Sequence, residues 1–276
     1  MSVRRVLCLL CLALCTTAFV GCGGDTFAFD PVANAADKTA DSTSARVEFT
    51  ASMTVANMGT MSFAGRGLFD GRSKSGWMNM TFSLPPAAQA QLGANPTMEM
   101  IFDGKDGFIV YMRSSMFPGV RAGTWVKMDL AKLADKQGID LGGLMNANQA
   151  DPSQTLRMLM ASSGSRVINY DRVRGVLTTH YALRVDLKRL AKGNKDLRKA
   201  LEKMIQVTGV DSYPAEAWID SQGRVRRIKV DISMGAQLGT PITMTMTEDL
   251  YDFGVRANIA PPRESQVVDL SKLVGG

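Results

Sequence analysis

Among the side chains that could carry chemistry, Cys22 has the most specific surroundings. It follows Phe19-Val20-Gly21 at the end of an apolar run that begins at Val6, behind Arg4 and Arg5. A basic start, a short apolar stretch and small residues before a cut make a secretory leader, and the run is too short and too rich in small residues to be a spanning helix. A thiol placed immediately after the cut is the atom to which bacterial lipoprotein processing attaches a diacylglyceryl group. The tetrapeptide therefore reads as a lipobox, with Cys22 lipidated; the competing reading is an ordinary secretory leader cut nearby. The chain has four cysteines, and Cys8, Cys11 and Cys15 lie inside the leader. The mature chain is then left with no thiol pair for a disulfide or a metal.

The remaining candidates for chemistry are weak. His180 is the single histidine, on a predicted strand whose other face is the apolar one, with no second histidine, nucleophilic cysteine or Gly-x-Ser-x-Gly elbow to work with. A structural role is expected for it. Gly65-Arg66-Gly67 opens like a dinucleotide-binding loop but sits inside a run of strands, without the strand-to-helix turn that would aim amides at a phosphate. The carboxylates of Asp103-Gly104-Lys105-Asp106-Gly107 shape a turn. No catalytic residue, metal or cofactor is expected, and a non-enzymatic role follows. The formal net charge of +6, reduced once Arg4 and Arg5 leave, is too small and too scattered for a nucleic-acid partner, and suits an anionic membrane surface better.

The elements that must position these residues follow from hydrophobic spacing. Residues 1–21 are the leader. Residues 22–44, rich in Gly, Ala, Asp, Thr and Ser, read as a flexible tether spanning roughly 25 Å as a random coil. Residues 45–276 read as one domain. Val47, Phe49, Ala51, Met53 and Val55 alternate with polar residues, as do Met61 with Phe63, Met78 to Leu84, Met98 to Phe102, and Phe108 to Met112. Period two predicts strands with one buried face, joined as an antiparallel meander. Further strands are expected at Thr124–Leu130, Val167–Arg174, Val176–Leu187, Pro214–Asp220, Val225–Met234 and Ile242–Met246. Helices are expected after Asp151-Pro152 and from Leu187 to Ile205, where apolar spacing changes to three and four and the other face is basic. The tail after Pro261-Pro262 reads as irregular.

Methionine concentrates on the apolar strand faces: Met53, Met61, Met78, Met80, Met98, Met100, Met112, Met128, Met234, Met244 and Met246. Unbranched thioethers suit variable apolar ligands, and they also fill ordinary cores. About eleven strands with two or three helices must close into a filled core or curl around a cavity. The expected cavity lining comprises Phe49 and Met53; Phe63; Met78, Met80 and Phe82; Met100 and Phe102; Val110; Leu183; Val230 and Ile232; and Met244 and Met246.

Several short motifs carry a family resemblance. Trp125-Val126-Lys127-Met128-Asp129, Tyr170 through Gly175 leading to Thr178-Thr179-His180-Tyr181, Val185-Asp186-Leu187, Ala217-Trp218-Ile219-Asp220 with Gly223, and Tyr251-Asp252-Phe253-Gly254 before Pro261-Pro262 resemble the actinobacterial LolA-like lipoproteins of the LppX and LprG group. The resemblance runs from about Val47 to the end. It implies an α+β fold, a curved antiparallel half-barrel whose concave face is covered by helices, enclosing a hydrophobic pocket for the acyl chains of a lipid or glycolipid. It also implies a non-catalytic carrier or presenter on the outer face of the cytoplasmic membrane, held there by the Cys22 lipid anchor, with an envelope transporter as a candidate partner. The alternative is an envelope interaction or sensor lipoprotein with a filled core.

Overall fold

The computed structural model describes residues 30–40, 44–56, 58–70, 73, 75–93, 95–104, 109–117, 119–129, 159–190, 195–234 and 241–274. Twelve strands form one open sheet: β1 Ser44–Val55, β2 Gly59–Asp70, β3 Ser75–Ser83, β4 Thr97–Asp103, β5 Ile109–Ser114, β6 Trp125–Asp129, β7 Ser162–Val173, β8 Val176–Asp186, β9 Ser212–Asp220, β10 Val225–Met234, β11 Ile242–Tyr251 and β12 Val267–Asp269. Their order across the sheet is β12-β6-β5-β4-β3-β2-β1-β11-β10-β9-β8-β7. Two meanders, β1 to β6 and β7 to β11, are thus joined side by side where β1 pairs with β11. The helices are α1 Pro31–Ala40, α2 Pro86–Leu92, α3 Leu187–Leu190, α4 Lys195–Thr208 and α5 Leu270–Val274.

The alternating runs become strands because each can bury one face while the other stays polar. The irregular-tail expectation is overturned: Val267–Asp269 adds a twelfth strand, parallel to β6. Val268 falls opposite Val126, so a three-residue strand covers part of what would otherwise be an open edge.

A second correction concerns the tether. Residues 31–40 are not flexible linker but helix α1, with Asp30 and Pro31 in the order that starts helices. Val32, Ala35, Ala36 and Thr39 fall at i, i+3, i+4 and i+7 and are all buried, the stripe of a helix with one inward face. The Thr39 hydroxyl donates to the Ala35 carbonyl at 2.6 Å and accepts the Val225 amide at 2.8 Å, tying the helix to the start of β10. Small side chains carry that stripe, which is why it reads as low-complexity chain.

Val32, Ala35 and Ala36 enter one core with Val47, Leu159, Leu183, Val185, Leu187, Tyr213, Ala215, Ala217, Ile219, Val225, Ile228, Val230 and Leu250; Leu190 of α3 and Ile205 of α4 pack against it. The core therefore sits mainly over β8 to β10 and reaches β11 and β1 through Leu250 and Val47. The expected turn near residues 129–136, the loop to residue 150 and the first turns of the helix after Asp151-Pro152 lie outside the described residues, as does Cys22. A helical cover over the rest of the apolar face is not seen among the described residues.

Candidate functional site

Paired residues of an antiparallel ladder project to the same side, so the registers assign every strand residue to a face. One cross-strand row runs Ile232, Met244, Met53, Met61; the next Val230, Met246, Ala51, Phe63, Phe82. Further along, Phe49, Gly65, Met80 and Met98 form a third row, and Val47, Gly67, Met78, Met100 and Met112 a fourth. Phe69, Gly76, Phe102 and Val110 make the fifth. Leu183 joins the same side through Ala215 and Val230. All fourteen residues singled out from the sequence thus lie on one face.

They do not share one environment. Leu183 (4% exposed) and Val230 (2%) belong to the packed core beneath α1. Their assignment to a cavity wall is corrected: Ala215 between them and Ala217 in the next row are small, and α1 packs on this part of the sheet. Phe49 and Val110 are buried, and Ile232 and Met246 are half-buried against the core. Met53, Phe63, Met78, Met80, Phe82, Met100, Phe102 and Met244 are half-buried on the remaining half of the face. The candidate site is this half, from β11 across β1 to β4.

Its shape depends on glycine. A Cβ on Gly65 would lie 2.6 Å from Cε1 and Cζ of Phe49, and one on Gly76 would lie 2.4 Å from Cδ1 of Phe69. The two aromatic rings therefore lie across strand positions that have no side chain. Phe63 continues the layer, with ring centroids 6.1 Å from Phe49 and 6.0 Å from Phe82, and Phe69 lies 6.0 Å from Phe102. Gly65-Arg66-Gly67 thus has a packing function, and its place inside a strand was the available signal.

The opposite face carries the ion pairs, beside a cross-strand row of Leu68, Trp77, Ile101 and Tyr111. Asp249 accepts from Arg227 at 2.5 and 2.8 Å and from Arg174 at 3.3 Å, while Arg174 also pairs with Glu48 and lies over the Tyr251 ring. Asp220, the last residue of β9, accepts from Arg226 at 2.7 Å and Arg224 at 3.3 Å, and its other oxygen accepts the Gln222 and Arg224 amides. Burial alone would raise the Asp220 pKa; the Arg224 amide and the Arg226 guanidinium outweigh it and hold the carboxyl below its ordinary value. His180 stacks on Trp218 at 3.9 Å, with Glu216 2.7 Å from Nε2 and Asn169 3.2 Å from Nδ1. These contacts fix a ring rather than expose a base.

Two clefts open on this side. One of about 430 Å³ is lined mainly by Thr50, Ser52, Ser62, Thr81, Ser83, Thr245 and Thr247. The other, about 590 Å³, lies between Arg184, Ser212, Asp231 and Thr243 and reaches the apolar Ile232 and Met244. Sequence reasoning passed over both, because Ser and Thr at outward strand positions are what any solvated face carries. Among the described residues no group of three or more His, Cys, Asp or Glu is placed to hold a metal ion. No described helix is long and apolar enough to cross a membrane.

No family model matches the chain. It is 24% identical over 246 residues to a 31.2 kDa protein encoded between rplA and rplJ in Streptomyces griseus, covering 86% of this chain and 77% of the relative. Among solved structures it is similar to LprF from Mycobacterium bovis, with a TM-score of 0.45 and 14% identity, covering 84% of this chain and 95% of that one. It is similar also to the lipoprotein LppX of Mycobacterium tuberculosis, with a TM-score of 0.36, 12% identity and coverage of 83% and 96%. A LolA superfamily protein from Nitrosomonas europaea follows at a TM-score of 0.27 and 10% identity, covering 83% of this chain and 93% of that one.

Proposed function

We propose that the chain is a membrane-anchored lipoprotein that binds acyl chains of a lipid or glycolipid against the methionine- and phenylalanine-bearing face, for transport or presentation in the cell envelope. The observation that carries this reading is the collection of fourteen apolar residues on one face, eight of them left half-buried outside the packed core. Each methylene moved from water to such a face is favourable by about 0.8 kcal/mol, so two acyl chains can be held without one specific polar contact. Flexible thioethers let the same face accommodate chains of different length. The role needs no catalytic residue. Lipidation of Cys22 places the domain at the outer side of the cytoplasmic membrane, where an envelope transporter can deliver or receive the lipid.

The test is native mass spectrometry of a soluble chain beginning at Asp30, so that α1 is kept whole, extracted from cells and then offered a fluorescent fatty acid. Co-purified lipid and saturable uptake are expected. A chain that is empty on extraction and takes up no probe overturns the reading. One observation favours the second reading, an envelope interaction or sensor module: the β8 to β10 half of the face is already a closed core.

A further inference from the structure

The last strand pair, β7 and β8, carries exposed apolar side chains along its length. Tyr170 is 73% exposed, Leu177 56%, Val167 51% and Ile168 44%, and registers place Val167, Tyr170 and Leu177 on the methionine-bearing side. Four large exposed apolar residues in one hairpin form a patch, not the single scattered residues normal on a surface. Arg172 is exposed directly across from Leu177. Tyrosine, aliphatic side chains and an arginine together are the set that favours the boundary between lipid headgroups and water.

β7 is the outermost strand and pairs with β8 alone. A free edge of this kind invites another strand. Here the ladder breaks register twice, between Ser163 and Arg166 and between Val167 and Asn169, with Gly164 at φ 64°. Such irregularity opposes strand addition while leaving the side chains available. Helix α1, the first described element, packs against β7 as well as β9 and β10. Residues 22–30 can span no more than about 30 Å at full extension, so an anchor on Cys22 would hold the start of α1 within that distance of the bilayer.

We propose that the β7–β8 hairpin docks on an anionic bilayer, with Val167, Tyr170 and Leu177 entering the headgroup region and Arg172 meeting lipid phosphate. The placement rests on lipidation of Cys22 and is independent of acyl-chain binding by the sheet face.

The full chain, processed and reconstituted into vesicles, tests this with an environment-sensitive NBD label at Leu177→Cys and, as control, at Met58→Cys. Met58 is 72% exposed on the β1–β2 turn, at the other end of the strands. Vesicles are phosphatidylcholine alone or mixed with phosphatidylglycerol, each with and without doxyl-labelled phospholipid. At position 177 the expected results are a blue shift and doxyl quenching in the anionic vesicles, both weakened in phosphatidylcholine alone, at high salt, and by Arg172→Glu; the label at 58 stays aqueous. A label at 177 that stays aqueous while the protein remains vesicle-bound overturns the proposal. So does a blue shift that persists without doxyl quenching and coincides with crosslinking between two copies, which assigns the patch to a self-interface. A protein that shows the shift yet takes up no fatty acid sinks the acyl-chain reading alone.

Discussion

Replacing Gly65 by alanine is expected to lower stability by about 1.5 kcal/mol, although alanine at an ordinary strand position is an improvement. The new methyl would stand 2.6 Å from two ring carbons of Phe49 and 2.8 Å from the Asn79 carbonyl oxygen. Carbon pairs settle at about 3.5 to 4.0 Å, so the ring must withdraw by about 1 Å toward Phe63, which stands edge-on to it. Overpacking of this kind costs about 1 to 3 kcal/mol. The loss of glycine's freedom in the unfolded chain returns about 0.4 to 1 kcal/mol. For a domain of this size the remainder lowers Tm by about 3 to 6 °C, measured by circular dichroism on the chain beginning at Asp30. Phe49→Leu destabilises alone, but combined with Gly65→Ala it should recover about 1 kcal/mol relative to the sum of the two changes. A Tm that is unchanged or raised, or strict additivity in the double variant, refutes the argument that an aromatic ring occupies the glycine's missing side chain.

Three other outcomes can be measured. Met80→Trp, opposite Gly65 and Met98, should reduce fatty-acid uptake while leaving Tm nearly unchanged; a loss of about 1 to 3 kcal/mol with no change in uptake assigns the position to a filled core. Asp220→Asn should cost about 3 kcal/mol at neutral pH, because Arg226 and Arg224 lose their buried partner. The native carboxyl lies below its ordinary value, so its contribution is complete above the unfolded pKa of about 3.9 and is lost as pH falls through the lower folded value; the two stability curves should converge in that acid window and not stay parallel. Burial pushes Tyr213 up to about 12 from 10.0, so stability should fall between about pH 10 and 12 as the unfolded chain ionises first; Tyr213→Phe should remove that slope, and a slope that persists assigns it to other groups.

The strands were legible because their apolar residues alternate without interruption; Met53 to Met61 and Met78 to Met100 are opposite one another where period two requires. The same periodicity placed all the candidate residues on one face, since a one-residue error would have turned each to the opposite side. It did not separate Leu183 and Val230, which lie under α1, from Met80 and Met244, which do not. That difference depends on a helix whose buried stripe, Val32, Ala35, Ala36 and Thr39, is made of small side chains, invisible to a search for bulky residues. β12 was missed for a related reason: three residues hold too little pattern to distinguish a strand from a tail. Asp220 meets Arg226 within one hairpin, whereas Asp249 draws Arg174 from 75 residues away, a meeting that only the sheet order creates.

Helix α1 also determines how the domain would respond to force. A load applied through the N-terminal segment reaches α1 first, and Thr39 passes part of it to the Val225 amide at the start of β10. The rest continues into β1, which is laced to β2 on one side and β11 on the other along its whole length. Pulling therefore acts at the middle of the sheet, where the two meanders are joined, instead of peeling an outer strand.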